Sequence, residues 1–231
     1  MRVVVATGRM FRSVRPYLDQ AGVNGPAVCY QGAVVADPAS GEFLRHVPIR
    51  LELAREAIAA VEEEGFPLNC YVGDELYVAR ETPESAHYAE TQNVPLTEVG
   101  DLLAWLSEPP TKLVALGEPK ALDGLRDRLR ERFRERLYIA KSLPYFLEIA
   151  DPDATKASGI EFAARLAGFD LARTAAFGDG ENDLELFGVA SYRVAVANAD
   201  ERLLALADLV CPSVSEEGVA QVLEAFVDSA P

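Results

Sequence analysis

Short unbroken apolar runs alternate with apolar residues at helical spacing at both ends of the chain. "RVVVA" (2–6) predicts a buried strand, and Phe11, Val14 and Leu18 mark one face of a helix that stops at Gly22. Pro16 suits that helix if Ser13 caps it, because the proline then falls in the first turn. "AVCY" (27–30) predicts the next strand. Beyond residue 150, a helix from Lys156 carries Ile160, Ala163, Ala164 and Ala167 on one face, and "TAAF" (174–177) follows as a strand. A helix, strand "YRVAVA" (192–197), a short helix from Asp200 and strand "DLVC" (208–211) come next. A last helix carries Val219, Val222, Leu223 and Phe226 on one face. Strands that are apolar throughout and separated by helices predict an α/β protein whose parallel sheet is covered on both faces.

The middle of the chain follows another pattern. "AVVADPASGEFLRHVPI" (33–49) predicts a hairpin around PASG, and Leu51, Ala54, Ile58 and Val61 mark a helix. "LNCYV" and "LYVA" flank a turn at Gly73-Asp74. A proline-containing stretch (82–110) separates them from strand "KLVAL", a helix over 119–136 and strands "LYIAK" and "YFLEIA". Hairpins and helices placed between two parallel-sheet segments predict a second, α+β domain at 48–148, with the core formed by 1–47 and 149–231.

Composition changes this picture mainly by exclusion. A net charge of −15 argues against nucleic acid or an anionic membrane as partner. No apolar run reaches the roughly 18 residues that span a bilayer. Cys29, Cys70 and Cys211 are scattered and odd in number, which fits reduced thiols in a cytoplasmic protein. With only His46 and His87, an HExxH zinc site is absent. "LRDRLRERFRERL" (125–137) is basic, yet its apolar residues recur every four positions, so it predicts an amphipathic helix with a solvated Arg/Glu face. Tyr71, Tyr77, Tyr88 and Trp105 are candidates to line a pocket, though most of them fit core packing better.

The candidate chemistry lies in "TAAFGDGENDLELF" (174–187), a strand, a glycine turn and a helix start. Such a turn suits an anion, yet it carries Asp179, Glu181 and Asp183. Glycine is missing at Asp183, so the dinucleotide fingerprint fails. Either the acids simply partner the helix dipole, or Asp179 and Asp183 hold a cation that a phosphate shares. Hard oxygen ligands without nearby His or Cys favour Mg2+. Thr7 ends its own apolar run, where a hydroxyl and neighbouring N–H groups suit a phosphoryl oxygen. Lys156 opens a helix, a position the dipole disfavours for a cation, and a phosphate nearby would explain it.

Together "ATGR", "YQGA", "TKASG", "FGDGENDLELF", "VANA" and "EEGVAQVLE" resemble the Cof-type (class IIB) phosphatases of the haloacid dehalogenase superfamily along the whole chain. The resemblance implies a Rossmann-like core, an inserted α+β cap of the C2 type, and Mg2+-dependent hydrolysis of a small phosphorylated metabolite through an aspartyl phosphate. It implies that Thr7, Gly8, Lys156 and Asn182 meet the substrate, with Thr7 and Lys156 serving catalysis, and that Asp179 and Asp183 hold the metal, directly or through water; Arg9, two residues after Thr7, either meets the substrate or pairs with a core carboxylate. Gln31 and Ala157 depart from the family's usual residues.

The family's nucleophile stands in a strand ending Asp-x-Asp-Gly-Thr, which lies between the strands matching "VVVA" and "TAAF". These 231 residues contain no such segment, and "DPDA" (151–154) sits in a loop rather than at the end of an apolar strand. The expectation is therefore a core lacking its first central strand, with a gap, a collapse of the flanking strands or a weakened core. A longer form starting upstream is expected to be the phosphatase and this form inactive. A non-catalytic metal- and phosphate-binding protein is the second reading, and a phosphosugar mutase the third. The chain is expected to be a monomer or homodimer.

Overall fold

The structure, a computed structural model, describes residues 1–228. After an extended N-terminal segment come helix α1 (Phe11–Gln20), the hairpin strands β1 (Ala27–Cys29), β2 (Val34–Ala36) and β3 (Phe43–His46), and helix α2 (Leu51–Glu63). Strands β4 (Leu68–Val72) and β5 (Glu75–Val78) form a hairpin, followed by α3 (Pro83–Gln92), β6 (Leu96–Glu98) and α4 (Leu102–Trp105). Then come β7 (Lys112–Leu116), α5 (Pro119–Phe133), β8 (Tyr138–Leu143) and β9 (Phe146–Ala150). The remainder alternates: α6 (Lys156–Ala167), β10 (Ala175–Gly178), α7 (Leu184–Val189), β11 (Tyr192–Val196), α8 (Glu201–Leu206), β12 (Leu209–Cys211) and α9 (Gly218–Asp228).

One sheet is large and closed on both faces. Its six strands run β6-β5-β4-β7-β9-β8, antiparallel except for β5 with β6. Helices α2 and α5 cover one face, where Ile58, Val61, Leu125, Leu129, Phe133 and Ile149 are buried together. The Arg/Glu helix thus packs by its leucines, and Arg128 pairs outward with Glu64. The other face, with Tyr71, Leu76, Val114 and Leu116, packs onto Met10, Phe11, Val14 and Leu18 of the α1 region. Tyr71 and Tyr88 are buried in that contact, while Tyr77 stacks on Trp105 with ring centroids 4.4 Å apart. The stretch 82–110 is ordered as α3, β6 and α4 rather than being an uninterrupted loop.

The other part holds a parallel sheet, β10-β11-β12, and the separate antiparallel trio β1-β2-β3. Helix α6 bridges them, because Gly159 lets it lie directly on Val28 and Gly32. The predicted strand at 2–6 is not a regular strand. Only Ala6 bridges, parallel to Val28, through Val28 N–H to Val5 O and Thr7 N–H to Val28 O, both 2.8 Å. A strand needs ladder partners, and this segment has them on one side only; apolar composition alone does not supply them. Between it and β10 lies a cleft of about 960 Å3 lined by Val4, Ala6, Ala176 and Phe177. Of the outcomes expected for an incomplete core, the structure therefore shows the gap.

Helix α1 also starts earlier than predicted. Ser13 is not its cap; its hydroxyl donates to Gln92 O at 2.6 Å, and Pro16 lies inside the helix. The first free N–H groups are met from elsewhere in the chain: Asp74, at the β4-β5 turn, accepts from Phe11 N (3.1 Å) and Arg12 N (2.8 Å). Asp74 also accepts from Tyr30 Oη at 2.7 Å, and Arg12 pairs with Glu75. Burial raises the Asp74 carboxyl above its usual range, against the opposing effect of these donors. All three cysteines are buried free thiols.

Candidate active site

Three backbone turns converge at the ends of the apolar segments. The first is Thr7-Gly8-Arg9, where Thr7 Oγ1 accepts from Arg9 N at 3.2 Å, leaving the hydroxyl hydrogen free to be donated. The second is Tyr30-Gln31-Gly32, a tight turn with Tyr30 and Gln31 at positive φ. Gly32 has φ +102° and presses on the start of α6, where a Cβ would stand 1.8 Å from Thr155 O. The third is the acidic turn Asp179-Gly180-Glu181-Asn182-Asp183.

Gln31 ties these turns together. Its amide lies against Gly8, where a Cβ would be 2.5 Å from Nε2, and its Oε1 accepts from Asn182 Nδ2 at 3.0 Å. Thr155 caps α6 through Ser158 N, which fixes Lys156 as the first helical residue. Lys156 is buried and extends its Nζ to Asp183 Oδ1 at 2.5 Å. The other oxygen of Asp183 accepts from Asp179 N (3.0 Å) and Gly180 N (3.2 Å). Asp183 therefore occupies the anion-binding turn itself, and a lysine ammonium balances it.

The predicted site residues thus separate into two groups. Thr7, Gly8, Lys156, Asn182 and Asp183 are drawn into one constellation through Gln31 and the Lys156–Asp183 pair. Arg9 turns its guanidinium toward Ser13 Oγ at 3.4 Å, and the Asp179 side chain is solvent-exposed. Glu181, also exposed, pairs with Arg202. No group of three or more His, Cys, Asp or Glu residues gathers as a metal nest among the described residues.

The large sheet adds residues that sequence reasoning missed. Lys112, on β7, is buried with Nζ 3.2 Å from Glu148 Oε1 on β9 and 3.3 Å from Gly8 O. The ammonium also lies 5.1 Å from the Tyr71 ring centroid. Burial opposes the Lys112 charge, but the facing Glu148 carboxylate outweighs it and holds the amine more basic than usual. The available signal was a charge inside an apolar strand: "KLVAL" and "YFLEIA" each carry one.

The family described as haloacid dehalogenase-like hydrolase matches residues 1–223. A phosphoglycolate phosphatase of Archaeoglobus fulgidus is 47% identical over 76 residues, 33% of this chain and 34% of that protein. A 5-amino-6-(5-phospho-D-ribitylamino)uracil phosphatase of Bacillus subtilis is 26% identical over 97% of this chain and 84% of its own length. A crystal structure from Thermotoga maritima, 31% identical, superposes with a TM-score of 0.86 over 96% of this chain and 84% of that one.

Proposed function

The chain belongs to the haloacid dehalogenase-like hydrolases, a phosphatase family, and we propose that its site binds the phosphoryl group of a small phosphorylated metabolite together with Mg2+. The observation that carries this reading is the buried Lys156 ammonium paired with Asp183 of the acidic turn, whose neighbour Asn182 is tied to Gln31. Thr7 donates its free hydroxyl hydrogen to a phosphoryl oxygen, Asn182 offers its amide, and Lys156 balances the anion's charge. Residues 48–148 act as the cap that closes over the leaving group.

Asp179 and Asp183 would hold the metal. The turn offers only hard carboxylate oxygens, and Mg2+ is commonly held by one or two carboxylates with water and phosphate completing its shell. Asp183 Oδ2 already accepts from two N–H groups, whereas Oδ1 accepts from Lys156 alone and retains acceptor capacity. The ion supplies neutralisation of phosphoryl charge.

Hydrolysis through an aspartyl phosphate needs a carboxylate oxygen to attack phosphorus as the ester P–O bond breaks and the leaving alkoxide takes a proton. Water then cleaves the acyl phosphate, releasing inorganic phosphate and restoring the carboxylate. Among the described residues no apolar strand delivers such a carboxylate beside Thr7, so residues 1–231 alone bind phosphate without turning over. The decisive experiment combines calorimetry of phosphate with Mg2+ and assay of an aryl phosphate. The expected result is Mg2+-dependent binding, weakened at least tenfold in Lys156→Met and Asp179→Asn, with no turnover. Turnover by this chain overturns the covalent-aspartate part, and binding indifferent to both substitutions overturns the site.

A further inference from the structure

The carbonyls of the turn Thr7-Gly8-Arg9 are held from two regions of the chain. Thr7 O accepts from Gln31 N at 3.1 Å and Arg9 O from Tyr30 N at 2.9 Å, so the neighbouring turn fixes both. Gly8 O is met instead by Lys112 Nζ at 3.3 Å, from strand β7 of the six-stranded sheet. Glycine is required at this point, because a Cβ at Gly8 would strike the Gln31 amide. It also leaves the peptide that follows free to turn unless something holds it.

A trans peptide unit is planar, and its C=O and N–H point in opposite directions. The carbonyl of Gly8 shares its unit with the N–H of Arg9. Holding Gly8 O toward Lys112 therefore aims Arg9 N–H the other way, where Thr7 Oγ1 accepts it at 3.2 Å. That bond occupies an acceptor position of the hydroxyl and leaves its hydrogen to be donated. An ammonium on the carbonyl also polarises the peptide, which strengthens its N–H as a donor.

Lys112 is itself fixed in place. Its side chain is 3% exposed, Glu148 Oε1 lies 3.2 Å from Nζ, and the Tyr71 and Tyr30 ring centroids stand 5.1 and 5.8 Å away. Desolvating such a pair is costly, and two apolar residues of similar volume are often as stable, so stability alone gives little reason for it. Tyr71 and Glu148 belong to the six-stranded sheet and Tyr30 to the turn beside Gly8, so the ammonium stands where the two regions meet.

We propose that Lys112 and Glu148 are a positioning pair for the phosphoryl-binding turn, acting through the Gly8–Arg9 peptide on the Thr7 hydroxyl. Lys112 does not touch the phosphoryl group in this role; it sets the direction in which Thr7 donates. The proposal rests on the reading of Thr7 as a phosphoryl donor. It adds that the six-stranded sheet has to be seated on the turn for that donor to be aimed.

The test uses the whole chain, amide hydrogen exchange read by NMR, and calorimetry of inorganic phosphate with Mg2+. Lys112→Met alone leaves Glu148 buried and unpaired, so Lys112→Met/Glu148→Leu is the informative variant. It is expected to melt close to the unsubstituted chain while Arg9 N–H exchanges about tenfold faster. The Thr7 and Tyr30 amides, held by the Val28 and Arg9 carbonyls, should not change. Phosphate affinity should fall about tenfold. In a Thr7→Val background the same double substitution should weaken phosphate no further, because its route runs through the hydroxyl; a role confined to stability would not depend on Thr7. Lys112→Gln/Glu148→Gln, a neutral hydrogen-bonding pair whose shorter side chain at 112 stops short of Gly8, guards against poor packing of the first variant and should give the same result. Unchanged Arg9 exchange in both variants, or an equal loss of affinity in the Thr7→Val background, overturns the proposal. Failure of the underlying reading looks different: phosphate then binds the unsubstituted chain and Lys156→Met alike or not at all, whereas Arg9 exchange still decides whether Lys112 holds the turn.

Discussion

The six-stranded sheet and the parallel sheet are built from similarly apolar strands, but they differ in completion. In the first, β7 has a neighbour on each side, and helices or α1 cover both faces. In the second, β10 has one neighbour, the segment facing it is only bridged, and α9 lies half-exposed above. Apolar composition sets how much a strand gains from burial; neighbours on both edges decide whether it is realised.

Truncation in each region should expose this difference most strongly. Phe133→Ala, beneath the six-stranded sheet and fully buried, is expected to cost about 3–5 kcal/mol in urea unfolding, whereas the half-covered Phe226→Ala should cost well under about 1 kcal/mol. Equal losses would break the comparison. The buried ion pair of the six-stranded sheet, whose lysine also reaches Gly8 O, comes next. Lys112→Met strands the Glu148 carboxylate and should cost about 3–5 kcal/mol, with much of it recovered in Lys112→Met/Glu148→Leu; a double variant as unstable as the single one would remove the pair from this account. The smallest effect concerns pH. Burial lowers the His46 pKa, so its neutral form, 3.0 Å from Thr111 Oγ1, contributes stability above about pH 6.5 that is lost as pH falls through the lowered value. A melting-temperature decline of a few degrees or less between pH 7.5 and 5.5 should be absent in His46→Gln.

Legibility in the sequence followed the same division. Continuous apolar runs such as "KLVAL", "LNCYV" and "YRVAVA" became strands because their tertiary neighbours exist. "RVVVA" has equal propensity and only one edge partner, information that resides in the rest of the fold. Helix α3 escaped detection because "PESAHYAETQ" is polar with little amphipathic pattern, and its capping box pairs Thr82 with Ser85 rather than with an acid three residues on. At the site, Lys156, Thr7 and the acidic turn were readable as strand ends and helix starts. Gln31 as the tie between turns, and Lys112 at Gly8, depend on registers that bring together residues 151 and 104 positions apart, contacts no local pattern encodes.

Asp74 gives the joint between the two regions a particular cost. The carboxylate that closes the start of α1 is carried on the tip of the opposing hairpin, so any swing of that hairpin away from the site leaves Phe11 and Arg12 with bare amides and the Tyr30 hydroxyl without its acceptor. Opening is thereby tied to fraying of the helix that begins two residues after Arg9, and a chain with its hairpin lifted would also have a looser loop where phosphate is to be received.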